Sequence, residues 1–133
     1  RSWYGRVLVE RVEGLCTEAE WLRAYGEINT FEEQLVESNQ VLVKFWLAVS
    51  KDEQLRRFEV RQNTPFKEYK LTDDDWRNRA KWDEYQEAIG DMLDRTDTRF
   101  ARWTLIEAEN KRFGRVKVLE TLIAALEAKI AAG

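Results

Sequence analysis

The sequence predicts an α/β fold built on a parallel sheet. Residues 41–49 and 103–108 are apolar runs rich in β-branched and aromatic side chains, and the first reads as a strand covered on both faces. Amphipathic helical patterns stand before, between and after them. The order is helix–strand–helix–helix–strand–helix, and such alternation marks parallel pairing. A third observation bounds the prediction. Two strands alone make a poor sheet, and the chain opens at Arg1 in RSWYGR without a Met. It reads as a piece of something longer, with the completing strands expected upstream. There is no internal repeat, low-complexity segment or internal domain boundary.

The elements follow in order. Arg1–Arg6 has no hydrophobic period, and Val7–Val12 reads as a short helix or an extended segment. Thr17 is a good N-cap, and Glu18 and Glu20 suit the positive end of a helix. Trp21, Tyr25, Ile28, Phe31 and Leu35 then recur at helical spacing to about Glu37. The strand over 41–49 is interrupted by Lys44, which needs a carboxylate partner or an exit to solvent, the latter being the commoner arrangement. Ser50-Lys-Asp-Glu53 is a capping box opening a helix over about Lys51–Gln62, with Leu55 and Phe58 packing inward. Asn63-Thr-Pro-Phe, with the only proline, is a loop. Thr72 caps the next helix, whose buried stripe is Trp82, Tyr85, Ile89, Met92 and Leu93. Asp73, Asp74 and Asp75 suit its first turn without any metal. Residues 95–102 form a polar connection. Asn110 starts the last helix, with Phe113, Val116, Leu119, Ile123, Leu126 and Ile130 as its apolar stripe.

Composition narrows the chemistry. With 133 residues, 44% hydrophobic and 35% charged, the chain fits one modest soluble domain. No apolar run approaches the roughly 20 residues that span a bilayer, and no signal-peptide pattern is present, so neither membrane nor export is expected. The single Cys16 fits a reducing, cytoplasmic compartment and reads as a packing residue rather than a nucleophile. Zero histidines remove His-based triads, His general bases and ordinary zinc sites. A net charge of −3 gives no general pull toward nucleic acid, so any anion site is local.

The cations are clustered. Arg1 and Arg6 open the chain; Arg57, Arg61, Lys67 and Lys70 lie in and after the helix that follows the first strand; Lys111, Arg112 and Arg115 start the last helix. Arg57 and Arg61 are four apart and share a helix face, either as a solvated face with Glu53–Arg57 pairing or as an anion site. The basic first turn of the last helix opposes its dipole unless an anion sits nearby. A strand that delivers cations to a helix start and a mobile loop is what a phosphate-handling lid needs. Phosphoryl transfer depends on positioning and charge neutralisation more than on acid–base chemistry. No G-x-x-x-x-G-K-[ST] occurs in the chain.

Several stretches resemble the polyphosphate kinase 2 family. RSWYGR is similar to the segment after that family's Walker B acid, and KDEQLRRFEVRQNTPFKEYK to its lid, with Gln54, Arg57, Arg61, Pro65 and Lys70 in place. LTDDDWRNRAKWDEYQEAIGDMLDRTDT and WTLIEAENKRFGRVKVL continue the match over nearly the whole chain. The closest likeness is to the polyphosphate:AMP phosphotransferases. The resemblance implies a P-loop kinase-like, three-layer α/β/α fold with a parallel sheet, present here only as its C-terminal part. It implies that 1–133 is the C-terminal portion of one such domain, with the lid at about 51–72 and the phosphate loop and Walker acids upstream. It implies transfer of the terminal phosphoryl of inorganic polyphosphate to AMP, giving ADP, with Mg2+ held mainly by upstream ligands and none here, in a homo-oligomer. Carried over by residue, Arg57 and Arg61 would be the catalytic lid arginines. Arg1 and Arg6 would contact phosphate or nucleotide, and Lys70 would lie along the polyphosphate path. This chain departs from common relatives at Arg102, where they have proline, at Gly114, where they have alanine, and at Tyr69, where many have tryptophan.

Three alternatives stand beside this. One is a diphosphate-using kinase of the same family. Another is a non-catalytic assembly module whose uncovered sheet edge pairs with another chain. A nucleic-acid binder is the least favoured, because the aromatics follow helix and strand periods. The 133 residues by themselves are expected not to turn over.

Overall fold

Two short strands run parallel. In the computed structural model, which describes residues 2–133, β1 (Lys44–Ala48) pairs with β2 (Trp103–Glu107) in the register Lys44↔Trp103 to Ala48↔Glu107. The ladder continues where Ala108 N–H donates to the Ala48 carbonyl at 2.8 Å. The helices are α1 (Val9–Val12), α2 (Glu18–Glu37), α3 (Lys51–Gln62), α4 (Asp73–Ala80), α5 (Trp82–Thr96) and α6 (Lys111–Ala131). Trp3–Val7 and Glu68–Lys70 are 3₁₀ turns. The parallel α/β reading holds, and the helix starts at Thr17, Ser50, Thr72 and Asn110 fall where the capping chemistry puts them.

The core lies between the 3₁₀ turn, α2 and α5. Tyr4, Val7, Ala24, Tyr25, Ile28 and Met92 are buried together, with Trp21, Trp46 and Trp103 packed against them. At its centre sits an ion pair. Lys44 is 5% exposed and Glu32 0%. The Lys44 ammonium donates to Glu32 Oε1 at 3.1 Å, to Tyr4 Oη at 3.1 Å and to the Thr96 carbonyl at 2.7 Å. The Tyr4 hydroxyl donates to the same carboxylate at 2.5 and 2.9 Å. The ammonium also lies 4.8 Å from the Trp103 ring centre. Burial pushes Lys44 down from its ordinary range while Glu32 opposes, and burial followed by the Glu32 carboxylate drives the Tyr4 phenol up. Lys44 therefore takes the carboxylate route, not the exit to solvent that is commoner for a strand lysine.

Four further expectations are corrected. Residues 72–96 form two helices, because Lys81 leaves the helical path with φ −100° and ψ 28°. Its ammonium donates to Glu13 at 3.1 Å and to the Val12 carbonyl at 3.3 Å, a tertiary tie that no glycine or proline announces. The stripe of α2 turns inward at Glu32 rather than at Phe31, which is 42% exposed. The first strand is not covered on both faces, since Leu47 is 57% exposed. The apolar stripe of α6 is also open, from Phe113 to Ile130, the latter 79% exposed. Periodicity identifies an apolar face; it does not say what covers it. Only Gly114 of α6 is buried, where the helix crosses β2. A Cβ there would meet Ile106 Cγ2 at 3.5 Å, ordinary contact distance.

Removing one partner of a buried pair strands the other charge, which costs about 3–5 kcal/mol. Glu32→Ala is therefore expected to destabilise the fold by that amount in denaturant melts. Glu32→Leu combined with Lys44→Met is expected to cost less than Glu32→Ala alone. A double variant as unstable as the single one would contradict the assignment.

Candidate functional site

The site grows from the start of α3. Ser50 Oγ accepts from the Glu53 N–H at 3.1 Å, as an N-cap should. The reciprocal half of the expected capping box is not supplied by Glu53. Glu109, just after β2, takes it: its carboxylate accepts from the Ser50 N–H, and from Ser50 Oγ at 3.2 Å. Glu53 is occupied elsewhere. It accepts from Arg56 at 2.7 and 2.6 Å and from Arg57 Nε at 2.8 Å. Arg57 Nη2 donates onward to the Ala108 carbonyl at 2.5 Å and the Glu109 carbonyl at 3.1 Å. Arg57 and Glu109 together fasten α3 to the carboxyl end of β2.

One turn on, Arg61 is different. No hydrogen bond or ion pair engages its side chain among the described residues. It borders a cavity of about 300 Å³ lined by Arg56, Arg57, Arg61, Lys67, Lys70 and Lys111. Three elements bring these cations together. The loop after α3 curls through Lys67 N–H to the Thr64 carbonyl at 2.9 Å and Lys70 N–H to the Lys67 carbonyl at 3.0 Å. The start of α6 is fixed by Asn110 Oδ1, which accepts from the Arg112 and Phe113 N–H groups at 3.0 Å each. No carboxylate lines this cavity among the described residues. Lys67 and Lys111 are exposed, and Lys70 lies 5.7 Å from its neighbour's Tyr69 ring. Arg61, Lys67, Lys70 and Lys111 are thus positive groups gathered without a protein counter-ion, an arrangement that favours a multiply charged anion.

The sequence-predicted residues separate. Arg57, Arg61 and Lys70 meet at this cavity. Arg6 does not line it; it pairs with Glu10 at 3.4 Å and borders a different hollow beside Trp3 and Phe31. Arg1 lies outside the described residues. Arg56 lines the cavity although it was not singled out, because adjacent residues do not share a helix face and its neighbour drew the attention. Arg57 pairs with Glu53, and it also lines this cavity. Among the described residues no cluster of three or more carboxylate or cysteine side chains forms that could hold a metal ion.

A second cavity, about 400 Å³, opens at the carboxyl end of β1 and shares Arg57 and Arg61 with the first.

Comparison with known proteins adds lineage. A family model described as polyphosphate kinase 2 matches residues 1–132. The chain is 64% identical over 128 residues to the polyphosphate:AMP phosphotransferase of Pseudomonas aeruginosa, covering 96% of this chain and 26% of that relative. It is 35% identical over 127 residues to the GDP-polyphosphate phosphotransferase of Mycobacterium tuberculosis, covering 96% of this chain and 43% of that one. It superposes with a TM-score of 0.96 and 62% identity on a crystal structure from Pseudomonas aeruginosa PA01 assigned to polyphosphate kinase 2, covering 99% of this chain and 29% of that one. The chain thus spans about a quarter of the length of the first of these relatives.

The Glu53 carboxyl is held at about 2 against an ordinary 4.5, chiefly by Arg56 and then by Arg57. A carboxylate with a depressed folded-state value adds stability that is complete above 4.5 and lost as the pH falls through about 2. In acid titrations followed by helix dichroism, the advantage of the native chain over Glu53→Gln should vanish across that window. A constant difference between them would show that the pair contributes nothing.

Proposed function

Because the chain belongs to the polyphosphate kinase 2 family, we propose that it forms the lid and phosphate-holding side of an enzyme that transfers the terminal phosphoryl group of inorganic polyphosphate to AMP, giving ADP. One observation carries this: four cations without a protein counter-ion converge on one cavity, and they lie on the lid-like helix, the loop after it and the start of α6. A polyanion brings its own negative charges and needs no carboxylate wall. The greater identity to the AMP-using relative than to the GDP-using one supports AMP as acceptor.

The division of labour follows from the hydrogen bonds. Arg57 spends Nε and Nη2 on Glu53 and on two carbonyls, so it orients α3. Arg61 is the guanidinium that meets the transferring phosphate. Its planar donors match phosphate oxygens, and its permanent charge offsets charge spreading over them in the transition state. Lys67, Lys70 and Lys111 act as point charges along the polyphosphate. Magnesium is proposed as the counter-ion of the phosphates. The described residues do not assemble a site for it, and a cavity lined by cations repels it, so these residues bind and orient phosphate instead. Arg6, beside Glu10, is proposed only as a contact to the acceptor side. Lys44, Glu32 and the core serve position alone.

Among the described residues no helix is long and apolar enough to cross a membrane. The single Cys16 supports a reducing, cytoplasmic setting, and a homo-oligomer completes the reading. The open apolar stripe of α6 favours one further role, packing against more protein, either along the same polypeptide or from another.

The test is ADP formation from AMP, polyphosphate and magnesium by the natural gene product that carries these residues. Robust ADP is expected. Arg61→Ala should lower kcat by about 10²-fold or more with a smaller change in KM for AMP. Transfer to ADP but not AMP would move the protein to the diphosphate-using branch. No transfer to either nucleotide would sink the proposal.

A further inference from the structure

Glu109 stands just beyond β2 and grips α3 with two different groups. Its carboxylate accepts from the Ser50 N–H and from Ser50 Oγ at 3.2 Å, and its main-chain carbonyl accepts from Arg57 Nη2 at 3.1 Å. The next residue, Asn110, caps α6, whose first residue is Lys111. Glu109 thus joins the two helices that bring Arg61 and Lys111 to the cationic cavity. A negative side chain beside an anion site opposes binding, so its presence there calls for a role other than charge. Leverage supplies one. Two attachment points, Ser50 and Arg57, fix the direction of the α3 axis on the end of β2, whereas one point leaves a pivot. Arg61 lies a turn beyond Arg57, roughly 6 Å along the helix. A tilt of about 10° about that pivot displaces it by about 1 Å, and a misplacement of about 1 Å can cost about 10²-fold in rate. Two further ties of α3, Arg79 donating to the Lys51 carbonyl at 2.5 Å and the Phe58 ring against Trp76, run to α4 and not to the sheet.

We propose that Glu109 is a positioning residue of the phosphate site: its carboxylate, held at the start of α3, fixes the axis of that helix on the end of β2 and so keeps Arg61 in register with Lys111 around the cationic cavity. The assignment rests on the phosphotransferase reading for the identity of the anion. Glu109 itself touches no substrate. It acts through Ser50 and the direction of α3.

The experiment measures polyphosphate binding by equilibrium dialysis, and ADP formation from AMP, on the natural gene product. Glu109 is exposed and the Arg57 arm ends on main-chain carbonyls, so Glu109→Ala keeps the fold and loses only the carboxylate arm. Glu109→Gln removes the same charge but keeps the reach: its amide oxygen can accept from the Ser50 N–H, and its amide nitrogen can donate to Ser50 Oγ. Charge alone predicts tighter polyphosphate binding in both variants. The positioning role predicts the opposite sign for one of them. With Glu109→Ala the Kd for polyphosphate rises severalfold and kcat falls about tenfold or more, and Glu109→Gln recovers most of both. A weaker fold alone would shrink the active fraction without altering the Kd of the folded protein. Equal or tighter polyphosphate binding in Glu109→Ala overturns the assignment, as does a Glu109→Gln variant no better than Glu109→Ala. The two proposals fail separately. Polyphosphate binding that depends on Glu109 in this way, with no ADP formed, keeps the positioning role and removes the transfer reading. ADP formed at the native rate by Glu109→Ala keeps the transfer reading and removes the positioning role.

Discussion

A single buried ion pair sets the geometry on which the rest depends. Taking an ammonium and a carboxylate out of water costs several kcal/mol per ion, so Lys44 and Glu32 can be buried only if every remaining donor and acceptor is met. Tyr4, the Thr96 carbonyl and the Trp103 ring meet them. Those partners come from the 3₁₀ turn, the end of α5 and β2, so with Glu32 on α2 and Lys44 on β1 the pair ties five segments together. It also pins the first residue of β1 opposite the first residue of β2. Four residues later the same two strands end side by side, and just beyond them Ser50 meets Glu109 and Arg57 meets the Ala108 carbonyl. The register fixed at one end of the ladder places the start of α3 at the other.

From that fixed start the cations divide into two kinds. Arg56 and Arg57 share the Glu53 carboxylate, and Arg57 also fastens α3 to the carboxyl end of β2. Arg61, Lys67, Lys70 and Lys111 surround the cavity without such partners. The first kind secures geometry, and the second leaves charge to be met by a ligand. A protein of net charge −3 can thus present a strongly positive pocket, because the sign of a site is set locally.

How much of this the sequence discloses follows the range of each interaction. The helix over Lys51–Gln62 and the caps at Thr17, Ser50 and Asn110 were legible because a cap satisfies donors within one turn. The meeting of Arg57, Arg61 and Lys70 was legible through family likeness and helical spacing. Glu109 as the second half of the α3 cap was not, since it lies 59 residues from Ser50. The break at Lys81 was hidden for the same reason: the groups that hold its ammonium, the Val12 carbonyl and the Glu13 carboxylate, lie far back in the chain. The burial of Glu32 was not legible, because its partner Lys44 is on another element. The open stripe of α6 shows the limit of periodicity in the other direction, an apolar face whose cover the pattern does not name.

The central claim is that Arg57 is committed to the fold and Arg61 to the ligand. Nuclear magnetic resonance of the arginine Nε–H groups in the natural gene product, with and without polyphosphate, addresses it most directly. The account predicts an Arg57 Nε–H that is protected from exchange beforehand and moves little, because it already donates to Glu53, and an Arg61 Nε–H that becomes protected and shifts only when polyphosphate is added. A signal from Arg57 that shifts on binding while that of Arg61 stays unprotected would contradict it.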